Sequence, residues 1–307
     1  MAAPPETLVL RALKLGDLLV AVPAIHAIRR ARPDHRLVLA VPGWLGPIVD
    51  LISGVDALHP TPGLDAPLDI APGRVHTAIN MHGNGPESRA VIDALDAPHV
   101  VAHGGSGPAW LDGILERWRW VRLVEAFGMP GDPDEVAISR PLAPVEVPGA
   151  VVIHVGAFYG SRQWPVERFA RVARVLTEQG RRVVLTGSAA ERPRAVAVAR
   201  QAGLETAAVQ AGTTGLAEFA AQIAGASLVI SADTGAAHLA SAYAIPSVIL
   251  FGPAPPQEWG PPPGPHIVLT DPAVRRGETF SAEPDPALLA VTTSDVLAAV
   301  ADLPDQG

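Results

Sequence analysis

The segment 231–238, which reads SADTGAAH, combines residue types that suit the binding of an anion. Five mostly apolar residues before it predict a buried strand, and an alanine-rich stretch after it favours a helix. A tight turn of this kind directs unpaired backbone N–H groups and the positive end of a helix dipole at one place. Thr234 and Gly235 suit a close approach to a phosphate, and His238 follows one helical turn later. The alternative is that Asp233 only caps the helix, and the sequence supports both interpretations equally.

A second candidate lies in the turn Lys14-Leu15-Gly16-Asp17, which follows the first predicted strand. A carboxylate at the end of a strand is well placed to act as a general base. The alternative is that Asp17 caps the next helix. Lys14 is either a surface cation or a group that orients an anion.

Two turns in the second half of the chain carry charged residues next to small ones. Arg162 comes just before a helix that begins at Pro165, and its guanidinium could form bidentate hydrogen bonds to phosphate oxygens. Glu191 follows the turn Thr186-Gly187-Ser188 and could accept hydrogen bonds from ribose hydroxyls. The alternatives are a solvated arginine, and a glutamate that stabilises a helix N-terminus.

The segment His82-Gly83-Asn84-Gly85 holds two glycines of a dinucleotide fingerprint but lacks the third, so we reject a dinucleotide site there. The histidines show no metal-binding spacing, and we predict no metal site.

The composition excludes several classes of protein. The net charge of −8 argues against non-specific binding to nucleic acid. The sequence contains no cysteine, which excludes disulfides, thiolate metal sites and a cysteine nucleophile. We find neither a signal peptide nor an apolar run of the ~18 residues that a membrane span needs. These features predict a soluble cytoplasmic protein.

The elements that would position these residues alternate between strand and helix in both halves. Alternation of this kind predicts parallel sheets with crossover helices. A stretch rich in proline and glycine, 128–149, marks a linker. The predicted strands are 7–10, 37–41, 55–58, 75–80 and 100–102 in the first half, and 150–154, 182–186, 207–210, 227–231 and 247–251 in the second. Long helices are predicted from 17 to 28, where Pro23 either kinks the helix or starts its regular part, and from 110 to 127. The tail 253–286 is predicted to be mostly loop.

The predicted fold is therefore α/β, with two Rossmann-like doubly wound domains that face a central cleft. We assign residues 1–140 to an N-terminal acceptor-side domain, 141–285 to a C-terminal domain that binds a nucleotide-sugar donor, and 286–307 to a C-terminal helix and tail.

Three motifs, in this order, resemble glycosyltransferase family 9, the ADP-heptose:lipopolysaccharide heptosyltransferase-like enzymes of GT-B fold. They are Gly16-Asp17 with Pro23-Ala24; Arg162-Gln163-Trp164-Pro165 with Glu167-Arg168-Phe169; and Asp233-Thr234-Gly235 and His238-Leu239-Ala240 with Phe251-Gly252-Pro253 and Trp259-Gly260-Pro261. The last is the most specific. The arginine- and alanine-rich composition and the His82 segment look like actinobacterial members of the family.

The resemblance implies an inverting, metal-independent transfer of a sugar, heptose-like and ADP-linked, to an acceptor hydroxyl, with no cofactor. It implies that Asp17 is the general base, and it leaves Lys14, His82 and Asn84 as weaker acceptor-side candidates. On the donor side it implies contacts to phosphate from Arg162, Thr234, Gly235 and His238, to ribose from Glu191, near adenine from Thr214, and near the sugar from Asp233.

The acceptor and the reaction class keep alternatives. The first domain shows no dense basic surface that would suit an anionic lipopolysaccharide. A glycan, a lipid-linked molecule or a secondary metabolite therefore remain candidate acceptors, and peripheral contact with a membrane stays open. The alternative functions are a nucleotide-sugar epimerase or hydrolase, and a nucleotide-sugar-binding protein without catalysis.

Overall fold

The computed structural model describes residues 3–304, and the chain divides in sequence into two compact units between Ser139 and Arg140. Each unit contains one parallel sheet, and most strand residues are buried, as in sheets covered by helices on both faces. This agrees with the predicted α/β class.

Within the described part of the first unit the sheet has the strand order β3-β2-β1-β4-β5, and all neighbours are parallel. This order matches the first five strands of the Rossmann order 3-2-1-4-5-6, and its topological switch point lies between β1 and β4. The strands are β1 Glu6–Leu10, β2 Arg36–Val41, β3 Ala57–Pro60, β4 Thr77–Asn80 and β5 His99–Val101. The helices are α1 Leu15–Leu19, α2 Val22–Ala31, α3 Gly46–Val49, α4 Pro86–Asp93 and α5 Glu116–Glu125.

In the described part of the second unit the sheet has the order β10-β9-β8-β6-β7, again with parallel neighbours. Its switch point lies between β6 and β8. The strands are β6 Val151–His154, β7 Val183–Thr186, β8 Leu228–Ala232, β9 Ser247–Leu250 and β10 His266–Leu269. The helices are α6 Val166–Glu178, α7 Arg192–Ala202, α8 Leu216–Ala224, α9 Gly235–Ala242, α10 Pro256–Trp259, α11 Pro286–Ala290 and α12 Thr293–Asp302.

The C-terminal segment that we set apart from residue 286 onward contributes to the core of the second unit. Leu288 of α11 and Val296 of α12 are fully buried among residues of β6, β8 and α6. The two helices cover apolar surface of this unit.

Three predicted elements differ from the structure, and one strand of the structure was not predicted. The helix predicted over 17–28 is interrupted after Leu19, because the ring of Pro23 clashes with the carbonyl four residues earlier. The helix predicted from 110 begins only at Glu116, because Gly113 has a φ of +68° that no helix accommodates.

The strand predicted over 207–210 is wrong. Residues Thr206–Ala208 form a 3₁₀ turn, and Val209 makes an isolated parallel bridge to Leu185. The tail also contains an unpredicted strand, β10, which pairs with β9. Prolines and glycines at 261–265 hid it from the sequence pattern, since they are typical of loops.

Candidate active site

Both candidate sites lie where the strand order reverses, at the carboxyl ends of the central strands. In open α/β sheets this is the position at which ligands bind. In the first unit, Asp17 follows β1 and His82 follows β4. In the second, Arg162 follows β6 and Asp233 follows β8.

The anion-binding turn predicted after β8 has the geometry of a helix start. Thr234 is the N-cap of α9 and has an extended backbone, and its carbonyl oxygen accepts from the N–H of Ala237 at 3.0 Å. Its hydroxyl lies 2.8 Å from the hydroxyl of Ser231. The helix begins at Gly235, so the first N–H groups of α9 point out of the turn.

Asp233 precedes this cap, so it is not the N-cap that the alternative interpretation required. Its carboxylate is buried and is 3.6 Å from a guanidinium nitrogen of Arg162 and 3.6 Å from Nε2 of His238. Two cationic or protonatable side chains thus surround one carboxylate, in the arrangement that a buried charge requires.

Arg162 ends a 3₁₀ turn, Gly160–Arg162, and its side chain is one quarter exposed. Its Nε is buried and has no hydrogen-bond partner in the described part of the chain. The exposed part of the guanidinium is accessible to a phosphate oxygen, with which it can form charge-assisted hydrogen bonds.

The loop 279–282 holds the Arg162 turn in place, and sequence reasoning missed this contact. The buried Ser161 donates from its hydroxyl to the carbonyl of Thr279 at 2.6 Å and from its N–H to the carbonyl of Ser281 at 2.9 Å. A Cβ on Gly160 would lie 1.7 Å from the carbonyl oxygen of Ala282. Only glycine therefore fits at residue 160.

Glu191 lies at the end of the 3₁₀ turn after β7. Its carboxylate accepts from the N–H of Ser188 at 2.7 Å and occupies the space above Gly156, where a Cβ would come within 2.3 Å of it. Glu191 also acts on His154, whose pKa is lowered to about 4 by burial, with the glutamate opposing that shift. Glu191 thus stabilises its own turn, and its contact with ribose stays a prediction.

Thr214 lies one residue before Gly215, the N-cap of α8, and is partly exposed. Thr214 belongs to the same unit as Arg162 and Asp233, and α8 packs beside α9. Its role near adenine stays a prediction.

In the first unit, Asp17 is at the third position of α1 and its side chain is 28% exposed. One carboxylate oxygen accepts weakly from the N–H of Lys14 at 3.3 Å, and the other lies 3.9 Å from the guanidinium of Arg11. Asp17 therefore caps its helix in part and remains accessible to solvent. The cap interpretation and the base interpretation are compatible.

His82 is close enough to Asp17 and Arg11 to respond to their charges. Burial and the Arg11 charge lower the pKa of His82, and Asp17 opposes the shift. The backbone N–H of His82 donates to Oδ1 of Asn80 at 3.1 Å. The ring Nδ1 of His82 is buried without a partner among the described residues. Asn84 instead accepts from Arg89, which turns it toward α4.

Arg11 is a site residue that we did not predict. It is 2% exposed and directly follows β1. Its position could have indicated a site residue, because an arginine at the end of a buried strand needs charged or polar partners from other elements.

Within residues 3–304, no group of three or more histidine, aspartate or glutamate side chains is arranged to hold a metal ion. In the same part of the chain no helix is both long and apolar enough to cross a bilayer.

Comparison with known proteins shows a family match over part of the chain. Residues 128–273 match the model of glycosyltransferase family 9 (heptosyltransferase). Lipopolysaccharide heptosyltransferase 1 of Pseudomonas aeruginosa is 38% identical over 157 residues, which are 48% of this chain and 42% of that protein. The chain thus spans about two fifths of the length of this curated relative.

Two solved structures from E. coli share the fold over nearly the whole chain. ADP-heptose lps heptosyltransferase II has a TM-score of 0.77 at 20% identity and covers 96% of this chain and 97% of its own. Heptosyltransferase WaaC with ADP has a TM-score of 0.73 at 19% identity, with 97% and 99% covered. The two parallel-sheet domains are therefore those of a GT-B-like fold. The resemblance to glycosyltransferase family 9 is confirmed over residues 128–273, which match the model of this family.

Proposed function

We propose that this chain is a glycosyltransferase that moves a heptose-like sugar from an ADP-sugar to an acceptor hydroxyl, with inversion and without a metal. The observation that carries the proposal is the group at the switch point of the second unit, where Arg162 and the start of α9 present donors suited to a diphosphate. The family match and the heptosyltransferases of the same fold support the reaction class.

The second unit supplies the donor half of the reaction. The diphosphate leaves with growing negative charge, and without a metal that charge must meet fixed N–H groups, a helix dipole and a cation. We assign these roles to Thr234, Gly235 and His238 at the start of α9, and to Arg162. The structurally similar WaaC is described with ADP, which supports an adenine nucleotide. From the family resemblance we assign Glu191 to the ribose and Thr214 to the adenine side.

The first unit supplies the acceptor half. The acceptor oxygen must lose a proton as it attacks the anomeric carbon, and the partly exposed carboxylate of Asp17 is the base that takes it. A single displacement of this kind inverts the configuration of that carbon. Lys14 lies in the same turn as Asp17, while His82 and Asn84 follow β4, the strand beside β1, and all three are assigned to the acceptor side.

The relatives are named for lipopolysaccharide, which supports a glycan acceptor, either lipid-linked or soluble. The net charge of −8 makes a strongly anionic acceptor less suitable than a neutral glycan or a secondary metabolite. A cytoplasmic enzyme that reaches lipid-linked acceptors at the membrane surface fits this assignment.

The decisive experiment follows ADP release from ADP-heptose with and without acceptors, in the presence and absence of EDTA. We expect acceptor-dependent release that EDTA does not abolish, and a product of inverted anomeric configuration by NMR. Asp17→Asn should lower turnover by at least ~100-fold while ADP still binds. The control is Asp34→Asn, because Asp34 is an exposed carboxylate of the same unit.

Other outcomes would overturn the proposal. A changed sugar without any acceptor would indicate an epimerase or a hydrolase. ADP binding without turnover of any nucleotide sugar would indicate a binding protein. Full activity of Asp17→Asn would show that Asp17 caps its helix and is not the general base.

A further inference from the structure

We propose that Arg11 is the positioning residue of the proposed reaction, because its guanidinium fixes Asp17 against the end of β4. This inference rests on the proposed role of Asp17 as the base and adds a residue that neither the motifs nor the family resemblance singled out.

The contacts of Arg11 tie together three elements of the first unit. Its Nε donates to the carbonyl oxygen of Asp17 at 2.5 Å, and one terminal nitrogen donates to the carbonyl oxygen of Met81, the residue after β4. The other terminal nitrogen lies 3.9 Å from the Asp17 carboxylate. The guanidinium carbon is 4.5 Å from the ring centre of Trp120 on α5.

Each of these contacts uses a different direction of the planar guanidinium. A fork of fixed shape can hold two carbonyls and a carboxylate at set positions, whereas the ammonium of a lysine is a single point of charge. The carbonyl and the carboxylate of Asp17 both face Arg11, so the arginine restrains the backbone and the side chain of the base together.

Burial of the Arg11 guanidinium costs free energy unless hydrogen bonds and a negative charge compensate its positive charge. Arg11 is 2% exposed, and burial lowers its pKa, while Asp17 and Glu116 act in the opposite direction. Arginine keeps its charge in proteins, so the unit holds a buried cation whose nearest carboxylate is the proposed base.

The same cation acts on His82, which follows Met81. Burial, and after it the charge of Arg11, lower the pKa of His82, and Asp17 opposes this shift. Loss of the Arg11 charge must therefore raise the pKa of His82. This gives a readout of the cluster that does not depend on turnover.

The test compares Arg11→Met, Arg11→Lys and Arg117→Met in the full chain. Arg117 is the matched control, because it is also buried, at 5% exposure, but its guanidinium donates to Pro133 and Asp134 and not to Asp17 or Met81. The measurements are kcat and donor KM from ADP release, and the pKa of His82 by NMR, assigned with His82→Gln.

We expect Arg11→Met to lower kcat by about 100-fold at unchanged donor KM, as misplacement of a reacting group does, and to raise the pKa of His82. Arg11→Lys should also lower kcat, because the fork is lost, but should keep the pKa of His82 near its original value, because the charge remains. Arg117→Met should change neither quantity, even where it lowers stability.

Normal kcat in Arg11→Lys would overturn the positioning role, since charge alone would then suffice. An unchanged pKa of His82 in Arg11→Met would overturn the proposed cluster. If the unaltered protein turns over no nucleotide sugar, the proposed function fails, and the His82 titration still decides whether Arg11 acts on this end of the sheet. Arg11→Lys covers the case in which Arg11→Met does not fold.

Discussion

The carboxylate of Asp233 lies 3.6 Å from the guanidinium of Arg162, and both belong to the switch point of the second sheet. The aspartate is 5% exposed and the arginine 25%, so the negative partner is buried and the positive partner reaches solvent. His238 approaches the same carboxylate from α9 at 3.6 Å. A ligand that carries negative charge would thus meet Arg162 and His238 first, with Asp233 behind them as the counter-ion that orients both.

The first prediction concerns Arg162. Arg162→Ala should weaken ADP binding about 10- to 100-fold, because a charge-assisted contact to phosphate contributes roughly 1.5–3 kcal/mol. Isothermal titration calorimetry with ADP measures this change, and AMP should lose less affinity if the arginine holds the outer phosphate. Arg171→Ala is the control, since Arg171 is exposed on α6. Equal ADP affinity in both variants would remove Arg162 from the donor site.

The second prediction separates the charge of Asp233 from its shape. Asp233→Asn removes a negative charge that would repel the diphosphate, so ADP should bind at least as tightly as before. Turnover should fall nonetheless, because Arg162 and His238 lose the carboxylate that orients them. Kinetics of ADP release measures the turnover, and calorimetry with ADP measures the affinity for ADP. A loss of ADP affinity with normal kcat would contradict this assignment.

The architecture was largely predictable, because parallel strands and crossover helices produce long runs of apolar residues. β1 and β8 are buried along their whole lengths, and each ends in a polar turn. β10 was not predictable, because its residues are only partly buried and a Pro/Gly-rich stretch precedes them. The 207–210 segment was wrongly predicted as a strand, because only Val209 makes a strand-like bridge, to Leu185, while Thr206–Ala208 form a 3₁₀ turn.

The candidate site was predictable only in part. Turn residues such as Asp17 and Asp233 are marked by their position between a strand and a helix. Arg11 and the loop that holds Ser161 were missed, because their partners lie far away in sequence. Arg11 contacts Met81 and Trp120, and Ser161 contacts Thr279, more than a hundred residues later.

The third prediction tests Glu191 through the glycine beneath it. Gly156→Ala would place a Cβ within 2.3 Å of the glutamate carboxylate, which must then move. If Glu191 binds ribose hydroxyls, ADP affinity should fall about tenfold, the equivalent of ~1.4 kcal/mol. The loss should disappear with 2′,3′-dideoxy-ADP, which lacks those hydroxyls. Gly46→Ala, where a Cβ meets nothing within 4 Å, is the control. Equal losses for both nucleotides would indicate general distortion of the turn.

The last prediction concerns stability at low pH. Burial lowers the pKa of His266 in β10 to about 4, from an ordinary value of 6.5 in the unfolded chain. At a pH between these two pKa values, His266 is therefore protonated in the unfolded chain and mostly neutral in the folded protein. The stabilisation is complete above about pH 6.5 and is lost as the pH falls toward 4, by at most ~1.4 kcal/mol per pH unit.

His266→Gln should flatten this loss while it keeps a polar partner for the hydroxyl of Ser247, which lies 2.8 Å from the histidine ring. Hydrogen exchange of the β9 and β10 amides at about pH 7 and about pH 5 reports the stability of this unit alone. The decline will become smaller but will not vanish, because burial also lowers the pKa of His154 to about 4. His99→Gln, an exposed histidine of the first unit, should leave these amides unaffected. An equal decline in His266→Gln and in the unaltered protein would show that His266 does not set the acid sensitivity of the second unit.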